Sequence, residues 1–345
     1  MQTVNTVQYF FESINPYLVI FISMKKQIQF FFAGLLLLIN QSSFGQINSS
    51  RFKTVDEYVQ SLGSLDTLNM GTISYILTKK FPESTDKVRA IFYWIANNIS
   101  IDLKMAKKGS NEKMASEDVL KTRKANANGY AALFQDMCSV AKIRCLTVDG
   151  YIKKTVEDIN NVPDEFNHTW AVIQLGQSPE SWYYVDPEWG SGYIDDKATV
   201  FIKKFDDNYF FASRTLFNLQ HFPDNMAWQL GGTGSKSAKE FFAQPIVKKD
   251  ASQFGISGFL PKEGFIKANK KNAVQFNFKA AADTKIEIVA LQIGTDKKSR
   301  TKTVDYTVSN GSVSFTYKFD EDNNYPVTVL INNKPVLGYF AEISE

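Results

Sequence analysis

Cysteine and histidine are scarce: the 345-residue chain contains two of each. Two cysteines exclude a disulfide framework, and so few cysteines and histidines exclude a Cys/His-rich zinc site. A nucleophilic cysteine must therefore be Cys138 or Cys145, and a catalytic histidine His168 or His221. An excess of one charge is also missing. Lys and Arg total 39 against 36 Asp and Glu, a formal charge of +3. That balance is too even for a nucleic-acid or anionic-membrane surface. The Lys pairs at 248–249, 270–271 and 297–298 are scattered and read as solvated surface, with no phosphate-tracking groove. What the chain does have is 44% hydrophobic and 14% aromatic residues. This is enough to bury a sizeable core, and the length favours two domains.

The first 45 residues read as targeting sequence. Lys25 and Lys26 follow Met24 and precede an unbroken apolar run from Phe30 to Ile39, after which Ser43-Phe44-Gly45 leads to Gln46. A basic start, a short apolar stretch and small residues before a cut describe a secretory signal peptide. The apolar run is well short of the roughly 20 residues needed to cross a bilayer. Residues 24–45 are therefore expected to be removed after Gly45, leaving a secreted or periplasmic chain without an integral membrane segment. Residues 1–23 form a doubtful leader, read either as a start assigned upstream of Met24 or as a long n-region with two apolar patches.

Beyond this leader the pattern is first helical. Val88, Phe92, Ile95 and Ile99 share one face at helical spacing, behind a start signal in Pro82, Ser84 and Thr85. Ser116-Glu117-Asp118 predicts a second helix with Ser116 as its N-cap, and a third runs from about Gly129 to Val140. The period then changes to that of strands over 145–151, 169–175 and 181–186. Helices followed by strands predict an α+β domain with an antiparallel sheet over 50–230. Gly231-Gly232-Thr233-Gly234-Ser235 opens an expected linker, 231–255. Over 256–345, strands are expected at 274–278, 285–293, 301–308, 312–319, 327–331 and 336–343, with tight turns at Asn310-Gly311 and Asn332-Asn333. This text fits an immunoglobulin-like β-sandwich, or a small barrel.

Three segments carry a family resemblance. The run from Glu117 through Lys124-Ala125-Asn126-Ala127-Asn128-Gly129-Tyr130-Ala131 resembles the nucleophile segment of the transglutaminase-like superfamily, which has the papain-like cysteine protease fold. Asn167-His168-Thr169-Trp170 resembles its His-x-Trp strand, and Asp186-Pro187-Glu188-Trp189-Gly190 its Asp-Pro-x-Trp-Gly strand end. Lys87 to Ile95 and Thr215 to Leu230 are similar to the branch related to kyphoscoliosis peptidase. The resemblance implies a triad in which a helix dipole and an imidazolium stabilise a thiolate, and a carboxylate orients the imidazole. His168 and Asp186 take the second and third places. The nucleophile's place falls on Ala127, and a methyl group cannot attack a carbonyl. Ala125 also stands where the family has glycine.

Neither cysteine replaces the missing thiol. Cys138 lies about 16 Å further along the same helix at 1.5 Å per residue, among apolar neighbours, and Cys145 begins the next strand. Both read as small core residues, with a mutual disulfide left open. His168 and Asp186 taken alone would read as a hydrogen-bonded core residue and a turn former. Tyr130, Trp170 and Trp189, with Trp182 and Tyr183, are expected to form core and cleft walls suited to peptide or glycan. The expected function is an exported, catalytically silent transglutaminase-like protein binding peptide, protein or cell-envelope polymer in the cleft, without metal or organic cofactor. Two alternatives stay open: a working cysteine peptidase or amide transferase, and a surface adhesion or scaffold protein acting through the sandwich.

Overall fold

The computed structural model describes residues 49–178, 181–195, 199–295 and 298–345. The expected leader, signal segment and cleavage point lie outside these residues, as does Lys297. Three helices come first, Lys53–Ser61, Met70–Thr78 and Ser84–Asn98. The last buries Val88, Phe92 and Ile95 of the stripe that its spacing predicts, along with Ile91, while Ile99, the fourth of the stripe, is buried just past the helix end in extended backbone. Arg89 is buried with them, its guanidinium gripping both oxygens of Asp56 at 2.8 and 2.7 Å and pairing with Asp207. The next helix, Ser116–Thr122, departs from expectation at its start. Ala115 occupies the cap position, and the Ser116 hydroxyl instead donates to Asp136 Oδ2 at 2.6 Å, tying this helix to its neighbour.

That neighbour is the Ala127–Val140 helix, which packs on an antiparallel sheet. The sheet order is Trp182–Val185, His168–Gln174, Arg144–Ile152 and His221–Pro223. Tyr130, Phe134 and Met137 of the helix join Ala171, Ile173 and Val185 of the sheet in one buried cluster with the earlier helices. Gly150 faces His168 on one side and Pro223 on the other. A Cβ here would lie 2.3 Å from the Phe222 carbonyl and 2.7 Å from the Trp170 ring, so the close approach of strand and ring requires glycine.

The C-terminal region is a β-sandwich. One sheet orders Ser257–Leu260, Ala273–Lys279, Ser312–Lys318 and Thr307–Ser309; the other contains Phe265–Asn269, Lys334–Ser344, Asn323–Ile331, Val289–Ile293 and Arg300–Thr303. Phe276 and Phe315 from the first sheet share a buried cluster with Leu291, Val329 and Tyr339 from the second. Asn310, Gly311, Asn332 and Asn333 all have positive φ, as the two tight turns require. Two strands differ from expectation. Residues 285–288 stay outside the ladder because the Asn332 side chain takes the Glu287 and Ile288 N–H groups and donates to the Lys285 carbonyl. The stretch 301–308 divides into Arg300–Thr303 and Thr307–Ser309, which join different sheets as the chain crosses between them.

Residues 231–255, expected as a linker, carry an Ala238–Ala243 helix, an Ile246–Val247 strand and a 3₁₀ turn over Lys249–Phe254. Ile246–Val247 pairs with Lys334–Ser344, and Ala251 and Phe254 belong to the sandwich core. The described residues form one compact unit. Among the described residues, no helix is long and apolar enough to cross a membrane.

Candidate active site

Ala127 is the first residue of its helix, at the place where the resemblance puts a nucleophile. Asn126 caps the helix, accepting from Gly129 N at 2.9 Å while its amide donates to the Glu112 carbonyl at 2.7 Å. Asn128 accepts from Met114 N at 3.2 Å, and its own N–H donates to Asn111 Oδ1 at 3.2 Å. The two asparagines that flank Ala127 thus strap the 111–114 loop across the helix start. Their amides are occupied in structure.

His168 opens its strand, and Asp186 follows the last residue of the neighbouring one. The Ala171–Val185 pairing sets Asp186 beside Trp170 and within reach of His168, two residues further along the same face. His168 Nε2 donates to Asp186 Oδ2 at 2.8 Å. Asp186 also caps the Pro187–Ser191 helix, its Oδ1 accepting from Trp189 N at 2.9 Å. One carboxylate therefore holds the imidazole and starts the turn that carries Trp189.

The chain's second histidine arrives at the same carboxylate. His221 Nε2 lies 3.2 Å from Asp186 Oδ2, and its Nδ1 3.3 Å from the Phe217 carbonyl. Its ring stacks on Phe217 with centroids 3.8 Å apart. The donor atoms of His168, Asp186 and His221 all lie within 4.8 Å of one another, a set of metal-ligand type. Their Nε2 to Oδ2 separations are those of hydrogen bonds, so a shared proton network accounts for the cluster.

The two rings have opposite electrostatics. Burial opposes charge on His168, but Asp186 at 2.8 Å and Glu188 at 3.2 Å outweigh it and raise its pKa to about 9. Burial and the charge on His168 prevail over Asp186 at His221, lowering it to about 4. Burial alone would raise Asp186; the two histidines instead hold it well below the usual carboxylate range. At neutral pH the cluster is a carboxylate, an imidazolium and a neutral imidazole.

A cleft of about 260 Å³ opens beside this cluster, lined by Ala127, His168, Glu188, Trp189, Tyr193 and Lys249 among others. Trp189 is therefore a wall of the cleft. Trp170 and Tyr130 are fully buried and do not line it. Trp170 packs behind both histidine rings, at 6.3 Å from His168 and 5.3 Å from His221. The Tyr130 hydroxyl lies 3.2 Å from that of Ser191. Neither cysteine enters the site. Both are free and buried, and burial pushes the Cys138 thiol well up, away from the thiolate that nucleophilic attack requires.

Lys249 corrects the expectation of a solvated lysine pair at 248–249. Its ammonium donates to the carbonyls of Trp189 and Gly192 at 3.0 and 2.6 Å and lies 4.9 Å from the centre of the Trp189 ring. Burial lowers its pKa to about 8, against the pull of Asp186 and Glu188. Two residues of the site, Glu188 and Lys249, thus had no role assigned from sequence. Glu188 falls on the variable place of the Asp-Pro-x-Trp-Gly pattern, and no local signal marks Lys249. His221 was legible only as one of the chain's two histidines, lying within the Thr215 to Leu230 stretch.

Residues 72–187 match the transglutaminase-like superfamily. This segment is a transglutaminase-like domain, similar to the corresponding part of kyphoscoliosis peptidase. It is 38% identical over 146 residues to kyphoscoliosis peptidase of Mus musculus, covering 42% of this chain and 22% of that protein. To kyphoscoliosis peptidase of Homo sapiens it is 34% identical over 188 residues, with 53% and 27% covered. To Lim and transglutaminase domain protein ltd-1 of Caenorhabditis elegans it is 24% identical over 191 residues, with 52% and 26% covered. The chain spans about a quarter of the length of these relatives.

Proposed function

We propose that this is an exported transglutaminase-like protein that binds a peptide or cell-envelope polymer in the cleft beside Ala127 without turning it over. The observation that carries the reading is the methyl side chain at the helix start, in a cleft shared with His168 and with no thiol among its lining residues. Acyl transfer through a covalent intermediate needs a nucleophile there, and His168 and Asp186 alone supply only proton handling and orientation. Trp189 and Tyr193 offer apolar wall for a ligand chain, and Lys249 and Glu188 offer charge at its floor. Export rests on the basic and apolar segment from Met24 to Gly45.

The test is an amide-hydrolysis and acyl-transfer assay on the unaltered chain, read beside Trp189 fluorescence with a defined peptide series and solubilised envelope polymer. Saturable binding with no turnover is expected. Turnover by the unaltered chain that survives thiol alkylation would overturn the reading. Export is checked by sequencing the N-terminus of protein recovered outside the cytoplasm, expected to begin at Gln46. The intact His168–Asp186 pair favours a second reading, a working cysteine peptidase or amide transferase, which turnover abolished by thiol alkylation would support.

A further inference from the structure

A thiol-activating imidazole needs one ring nitrogen for the orienting carboxylate and leaves the other for the nucleophile. In His168 both nitrogens face carboxylates: Nε2 lies 2.8 Å from Asp186 and Nδ1 3.2 Å from Glu188. We propose that Glu188 supplies the anion that a thiolate would present to His168, so the site carries two separate disabling features, the methyl group at 127 and the capture of Nδ1. The proposal rests on the reading of the cleft as unarmed, but concerns a different residue.

The local chain explains how one turn delivers both carboxylates. Asp186 caps the Pro187–Ser191 helix and Glu188 lies in its first turn, with the Ser191 hydroxyl donating to the Glu188 carbonyl at 2.7 Å. The ring between them is enclosed by Trp170, Trp189 and His221 and is 1% exposed. A buried imidazolium is held only by anions in contact with it. Around it Asp186 and Glu188 are negative, His168 and Lys249 positive and His221 neutral, with Asp206 and Asp250 adding negative charge on the Lys249 side. Beyond these stand the buried Tyr130 and Tyr209 hydroxyls, both kept protonated by burial and by the nearby carboxylates. Both nitrogens of the ring are thus matched by carboxylates without a thiolate. Retention of the His168–Asp186 pair therefore has an electrostatic reason that does not depend on catalysis. A thiolate introduced at 127 would add an anion to a cleft where Glu188 already satisfies the ring, and would be disfavoured as long as that carboxylate remains.

Histidine NMR and thiol alkylation test this, using the full chain with Glu188→Gln, Ala127→Cys and the double variant. With two histidines in the chain, each ring titrates as a separate signal, assigned through His221→Gln. Glu188→Gln keeps the side chain's shape and should lower the His168 midpoint by about one pH unit or more, a tenfold change in the protonation equilibrium. At pH 6 the double variant should react with iodoacetamide about tenfold faster or more than Ala127→Cys alone, with the unaltered chain giving the background of Cys138 and Cys145. An unchanged His168 midpoint, or equal alkylation rates in the two thiol variants, overturns the proposal. Turnover by the unaltered chain would overturn the silent reading instead, so the two failures are distinguishable.

Discussion

The opposed electrostatics of the two histidines predict how stability depends on pH. His168 titrates near 9 in the folded protein and near 6.5 in an unfolded chain. Its raised value contributes stability that is fully present below pH 6.5 and is lost as the pH rises towards 9. Between 6.5 and 8 the loss from His168 is about 1.4 kcal/mol per unit, or about 2 kcal/mol in all; burial lowers Lys153 to about 7 and Lys249 to about 8, and their loss of protons in the same window offsets part of it. His221 works the other way: its lowered value, about 4, gives stability that is present above 6.5 and is lost as the pH falls towards 4. The combined contribution of the two histidines therefore peaks near pH 6.5. The perturbation is Asp186→Asn, which preserves shape but removes the charge between the rings. Removing one member of a buried pair should lower stability by about 3 kcal/mol at pH 6.5. The His168 share of the change from 6.5 to 8 should shrink to less than half, because Glu188 alone remains to hold the imidazolium, while the opposing share from Lys153 and Lys249 stays. Urea unfolding from pH 5 to 8, followed by tryptophan fluorescence, measures both effects. An identical decline in Asp186→Asn and the unaltered chain would refute the assignment of the linkage to this pair.

Three further outcomes follow from packing. Gly150→Ala forces a methyl group against the Phe222 carbonyl and the Trp170 ring, and should destabilise by about 3 kcal/mol, measured by thermal unfolding. Lys249→Met leaves the Trp189 and Gly192 carbonyls without this donor. It should lose about 1–3 kcal/mol and change Trp189 fluorescence, whereas a freely solvated lysine would give neither. Cys138 and Cys145 should resist alkylation in the native state and both react after denaturation, as counted by mass spectrometry; fast labelling of either would contradict their burial.

Much of the fold was legible because it follows from periodicity and turn chemistry. The 3.6-residue stripe of Val88, Phe92 and Ile95 could bury itself only as a helix, and the Asn-Gly and Asn-Asn pairs supply the positive φ that their turns need. Departures came where a side chain competed with the backbone. Ser116 binds Asp136 across helices instead of capping its own, and Asn332 takes the N–H groups that would have extended a strand. No local pattern records either partner.

The site divides along the same line. His168 and Asp186 were legible because adjacent strands bring fixed positions together, and Ala127 because its neighbours form a recognisable run. Residue identity alone determined that no thiol stands at 127, since chemistry absent from a side chain cannot be restored by folding. The tertiary structure decided the charge on what remains. It brought His221 from a distant strand to the far side of Asp186, placed Glu188 on the open nitrogen of His168, and drew Lys249 from the edge of the sandwich under Trp189. Whether an imidazole is charged depends on burial and on anions a few ångströms away. Those distances exist only once chain segments remote in sequence have packed together.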